Sequence, residues 1–173
     1  MSTQTTTDSD RRKRARFDAA TEAVQSNVYW AMGAGVLPMP LFDLVAIVGI
    51  QLKMIRELSH IYGVRYREAT AKKAVTALLV GVGGVGIGGL IGVSVAKLIP
   101  VVGLSLGVAS TPVISGMLTN AVGQTFMRHF EAGGTLADFD AKKTREFFRE
   151  QYARSREVIA DMREQPEPKP STT

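Results

Sequence analysis

The sequence predicts an all-α fold: a membrane-associated helical bundle with a Gly-rich transmembrane hairpin and a shorter re-entrant or interfacial hairpin. Two observations carry this expectation. From Ala69 to Phe130 there is no Asp or Glu, and the only charges are Lys72, Lys73, Lys97 and Arg128. Between Lys73 and Lys97 lie 23 uncharged residues, and between Lys97 and Arg128 another 30. Roughly 20 apolar residues in a helix cross a bilayer core of about 30 Å, so each run is long enough. The mean hydropathy of +0.06 averages this apolar middle with a charged periphery.

In chain order, residues 1–16 read as a disordered basic tail. Residues 1–10 are too polar to pack, and Arg11, Arg12, Lys13, Arg14 and Arg16 follow. Beside apolar segments such a cluster is better explained as a juxtamembrane polybasic segment than as a nucleic-acid arm, so no nucleic-acid partner is expected. No apolar leader segment opens the sequence, which places the start of the chain inside the cell.

From Phe17 the positions Phe17, Ala20, Val24, Val28 and Ala31 recur at three- and four-residue steps, one face of a helix. Pro38 and Pro40 end it near Leu37. Pro40 suits the first turn of a second helix, with Asp43 close to its positive end. That helix is predicted to run to Tyr62 and stop at Gly63. Folded at Pro38–Pro40, the apolar region 28–52 has arms of about a dozen residues, reaching roughly 18 Å. That enters a membrane without crossing it, and the whole hairpin is placed at 17–62.

The transmembrane hairpin is predicted over 74–127, broken at Pro100 and kinked or split at Pro112. Gly133-Gly134 ends it, closing a membrane-associated domain at 17–132. A capping box at Thr135 and Asp138 then opens an amphipathic, water-facing helix over 135–164. Its stripe Phe148, Tyr152, Ile159 and Met162 is the expected docking face for a partner. Residues 165–173 are Pro-rich and expected to be disordered. Residues 53–73 hold six basic and two acidic groups, against Lys97 alone at the hairpin turn. Both termini are therefore expected in the cytoplasm.

Gly81, Gly83 and Gly86 satisfy G-x-G-x-x-G, but no carboxylate follows until Glu131, which removes the ribose-binding partner of a dinucleotide site. Close helix packing explains the glycines better: Gly84, Gly88 and Gly92 repeat at four-residue steps, and Gly103 and Gly107 form a second such pair. Whether that groove packs within one chain or between copies of a homo-oligomer stays open. Asp43 reads as a helix-start carboxylate near the interface in preference to an ion-handling acid. Lys97 is expected to snorkel to far headgroups. Tyr29 and Trp30 suit an interfacial belt nearly as well as a core. His60 and His129 have no metal-ligand partner at helical spacing. There is no cysteine, and no nucleotide-, zinc- or hydrolase-type motif, so no cofactor, metal site or enzymatic activity is expected.

The run P-M-P-x-x-D from Pro38 to Asp43, then Q-L-K-M-I from Gln51 to Ile55, I-Y-G-V from Ile61 to Val64, and K-L-I-P from Lys97 to Pro100 resemble, in order and spacing, the YcjF-type bacterial family (domain of unknown function 697). The resemblance covers about residues 20–132. It implies a bacterial inner-membrane protein associated with a Ras-like GTPase. No phosphate-binding loop occurs here, so any GTPase partner would be a separate chain. The expected function is a non-enzymatic membrane module that anchors or answers to such a partner. The alternatives are an oligomeric pore or transport protein and a membrane-remodelling wedge.

Overall fold

The structure is a computed structural model that describes residues 2–34, 40–81 and 108–164. Among these residues every regular element is a helix: α1 (Ser2–Ala34), α2 (Pro40–Tyr62), α3 (Glu68–Gly81), α4 (Val108–Glu131) and α5 (Ala141–Glu164). The all-α expectation is met. Among the described residues no helix is long and apolar enough to cross a membrane.

The expected disorder at 1–16 is corrected: α1 is helical from Ser2. Its buried stripe is Ala20, Val24, Val28 and Ala31, as the periodicity predicts, whereas Phe17 stays 47% exposed. α2 begins at Pro40 and ends before Gly63 (φ +68°), both as expected. The exit is a Schellman turn, in which the Val64 N–H donates to the Ser59 carbonyl (2.7 Å) and the Gly63 N–H to the His60 carbonyl (3.2 Å). Gly133 (φ +84°) ends α4 in the same way, with Gly134 N–H donating to the His129 carbonyl at 3.0 Å. α4 is not split at Pro112, which lies in its second turn and forfeits a single ladder bond near the helix start.

The last helix starts later than expected. Asp140, not Thr135, caps it: its Oδ1 accepts the Lys142 N–H at 2.9 Å and the Lys143 N–H at 3.4 Å. Thr135 and Asp138 close a loop of their own instead.

Side-chain contacts fix the directions of the helices. Val24 meets Gly123, and Met32 meets Gly116, so α1 and α4 are antiparallel. Asn120 bonds Ser155, and Gly116 meets Ile159, so α5 also opposes α4. Gln51 bonds Thr119 and Tyr62 bonds Glu131, so α2 runs parallel to α4. α3 advances alongside α5: one groove brings Thr70 beside Leu136, and another brings Ala77 beside Lys142 and Arg145. α1 and α3 therefore run toward, and α2 and α4 start from, one side of the bundle, where Ala34, Pro40 and Val108 border 35–39 and 82–107; α3 stops short of that side, with Ala77 still beside the first turn of α5. The other end holds Arg16, Tyr62, Glu131 and the 132–140 loop. The first is the apolar end of the bundle and the second its charged end.

The core comprises Val24, Val28, Met54, Ile55, Leu58, Leu78, Leu118, Val122, Phe126, Met127, Phe148 and Ile159, all essentially without solvent contact. This overturns the expectation that Phe148, Tyr152 and Ile159 form an exposed docking stripe. They are the inward face of α5, packed on α4. An amphipathic helix rich in charge reads identically whether its apolar stripe meets a partner or its own bundle. The described part of the expected membrane arm 101–127 likewise packs against α1, α2 and α5, with 115–127 mostly buried and Val113, Ile114 and Met117 half-buried. A helix packed among others is as free of charge as one in lipid.

Candidate functional site

Polar side chains fasten three of the helix interfaces, α1–α2, α2–α4 and α4–α5. Between α1 and α2, buried Asn27 donates through Nδ2 to Glu57 Oε2 (2.5 Å) and accepts at Oδ1 from Lys53 Nζ (3.2 Å). Lys53 and Glu57 themselves pair at 2.7 Å. Between α2 and α4, Gln51 Nε2 donates to Thr119 Oγ1 at 2.8 Å, both residues being fully buried. Between α4 and α5, Asn120 Nδ2 donates to Ser155 Oγ (2.8 Å), which donates onward to the Gln151 carbonyl (2.6 Å). Such pairs fix the rotation of one helix against the next, because slipping any of them strands a buried polar group. Of the motif residues, Gln51 is thus a structural clamp. Its Oε1 is buried without a protein partner, as are Ser59 Oγ and Ser115 Oγ.

Two glycines missed in the sequence carry the close packing. A Cβ on Gly123 would lie 2.6 and 2.7 Å from the Val24 methyls, and one on Gly116 would lie 2.8 Å from Met32 Cγ and 2.9 Å from Ile159 Cδ1. They stand two helical turns apart on α4, a spacing that returns to one face. The signal was visible, but shorter than the glycine run at 81–92. Gly84, Gly88, Gly92, Gly103 and Gly107, with Pro38, Lys97 and Pro100, lie outside the described residues. Asp43 falls within the first turns of α2 and Met162 within the last turns of α5.

The charged end is tied by aromatic and ionic contacts. The Arg16 guanidinium sits 5.2 Å from the Tyr62 ring centroid, and the Tyr62 hydroxyl donates to Glu131 Oε1 at 3.1 Å. Burial, then the Glu131 charge, pushes the Tyr62 hydroxyl well above its ordinary pKa. In the loop, Thr135 donates its hydroxyl and its N–H to Asp138 Oδ1, both at 2.6 Å. Those bonds hold the Asp138 carboxyl below the usual carboxylate range. His129 Nε2 donates to the Thr135 carbonyl at 2.9 Å, and its ring edge meets Phe139 at 5.2 Å. His129 is a loop fastener.

Between α1 and α2 an open groove of about 670 Å³ is lined by Glu22, Ser26, Lys53, Arg56, Glu57 and His60, among others. It has both signs of charge and little enclosure, the character of a protein-contact surface more than of a small-molecule pocket. Among the described residues no three His, Asp or Glu side chains converge in a metal-holding group.

The geometry thus defines a helical bundle fastened by polar clamps, with Ala34, Pro40 and Val108, which border 35–39 and 82–107, toward one side. The chain belongs to the family described as a domain of unknown function, DUF697, which it matches over residues 2–157. It is 37% identical over 144 residues to a protein of Magnetospirillum gryphiswaldense called magnetosome membrane protein 22, covering 83% of this chain and 74% of the relative. No solved structure matches.

Proposed function

We propose that this chain is a non-catalytic membrane module of the bacterial cytoplasmic membrane. It is seated by the apolar end of its bundle and presents the charged end to a protein partner. The observation that carries this is that Ala34, Pro40 and Val108, three of the four residues that border 35–39 and 82–107, lie toward one side of the bundle, and α3 runs toward that side as well. The membrane protein of M. gryphiswaldense supports it by likeness. The transmembrane hairpin becomes shorter than 74–127, because 115–127 packs among other helices and is mostly buried. The membrane-crossing part is confined to 82–107, where Lys97 is the one charge in 26 residues. Packing by Gly84, Gly88, Gly92, Gly103 and Gly107 belongs to that segment.

The partner is a separate GTPase, on the strength of the family resemblance. Its docking place is the α1–α2 groove at Lys53, Arg56 and His60, since the α5 stripe is used inside the bundle. The first test is flotation with vesicles of phosphatidylethanolamine and phosphatidylglycerol. The chain is expected to float and to stay bound after an alkaline wash; material that remains dispersed without surfactant and washes off contradicts the membrane seat. For the partner, a GTPase retained by the vesicle-bound chain is expected to be released by the double reversal Lys53→Glu and Arg56→Glu. Unchanged retention would remove the groove as its docking place.

A further inference from the structure

Resting on that membrane seat, we infer that Trp30 is the interfacial anchor setting how deep the bundle sits, with its indole at the level of the lipid headgroups. Trp30 is the sole tryptophan of the chain and is 65% exposed, the most exposed large apolar side chain among the described residues. Its neighbours on the buried face of α1, Val28 and Ala31, are covered completely, so the indole is turned away from the core by helical geometry. It lies one turn before Ala34, where α1 reaches the uncharged Gly35–Met39 stretch.

On α1 and α2 the level of Trp30 separates two chemical zones, while on α5 the exposed Arg156 and Glu157 lie at that level. Toward the charged end, the first charged side chains of α1 and α2 are Lys53 and Glu57, clamped to Asn27 one turn earlier. Toward the apolar end, α1 carries no charge after Glu22, and the first turns of α2 and α4 hold one charge between them, Asp43. Met32, level with Gly116, leaves α4 about six residues, or roughly 9 Å, to run beyond the end of α1. α5 sets the other limit: Ile159 is also level with Gly116, and the sequence past it holds Asp161, Arg163 and Glu164, so the seat is confined to headgroup depth. A half-polar, half-apolar zone is where indole partitions best, its ring among the upper methylenes and its N–H among headgroup oxygens. Val158, also exposed, lies at the same level of α5.

The lone tryptophan makes the test direct. The full chain is reconstituted in vesicles of phosphatidylethanolamine and phosphatidylglycerol containing lipids brominated near the top or near the end of the acyl chain. The expected result is a blue-shifted emission, quenched more by the shallow bromines than by the deep ones and shielded from iodide. The companion variant Trp30→Phe with Phe17→Trp moves the probe to the charged end, where Phe17 is 47% exposed. Its emission is expected to stay red, open to iodide and untouched by either lipid. Chain that floats with the vesicles while Trp30 remains open to iodide and unquenched overturns the anchor but leaves the membrane seat standing. Chain that does not float overturns the seat and the anchor together.

Discussion

At the scale of single residues, the structure puts a tight constraint at Gly123, where a Cβ would meet the Val24 methyls. Val24 is fully buried and β-branched, so its methyls have no free rotamer to retreat into. Gly→Ala ordinarily strengthens a helix by about 1 kcal/mol. Here overpacking opposes it, and Gly123→Ala is expected to lower stability by about 1–3 kcal/mol in urea unfolding. Gly49, with open space around it, is the control in which Ala is tolerated. At Asp138 the carboxylate form is favoured in the folded loop, with a pKa below the ordinary 3.8. Its contribution is therefore fully present above that pH and lost as pH falls through the lower folded value. A carboxyl-carbon NMR titration should show a midpoint below 3.8, moving upward in Thr135→Val. An unchanged midpoint in that variant would assign the shift elsewhere. The Thr135–Asp138 pairing was legible from the spacing, but its use was not. Asp140, two residues later, also offers a carboxylate, and only the approach of His129 and Phe139 decides which acid caps the helix.

At the scale of elements, helix ends were more readable than helix surroundings. Pro40, Gly63 and Gly133-Gly134 mark boundaries through backbone geometry, which is local and written in one or two residues. What covers an apolar face is not local. The stripe Phe148, Tyr152 and Ile159 on α5, and the uncharged run 112–127 on α4, each satisfy two descriptions in sequence, and they satisfy both by packing on each other. The basic N-terminus failed differently: few apolar residues argued for disorder, yet α1 extends through it from a well-packed segment, propagation being easier than nucleation. Because α5 is part of the core, Phe148→Ala is expected to cost about 3–5 kcal/mol in thermal or urea unfolding. A loss below 1 kcal/mol would mean that α5 is docked loosely and its stripe is available to a partner after all.

At the scale of the whole molecule, the antiparallel run of α1 places its basic cluster far from the proposed membrane seat. Arg14 precedes Ala34 by 20 residues, roughly 30 Å of helix, several Debye lengths at physiological salt. The sequence favours Arg11, Arg12, Lys13 and Arg14 as lipid-facing through their nearness in the chain to apolar segments. The fold sends them the opposite way. Neutralising all four to Gln is therefore expected to leave vesicle binding and its salt dependence unchanged; a marked loss of binding to anionic vesicles would turn the bundle over. The most direct measurement uses the absence of native cysteine. Single cysteines at Gly33, on the exposed side of α1 at the apolar end, and at Ala132, exposed at the charged end, are probed in vesicles with a membrane-impermeant thiol reagent. The account predicts slow labelling at 33 and fast labelling at 132 in outward-facing protein. Fast labelling at 33 with protection at 132 would contradict it.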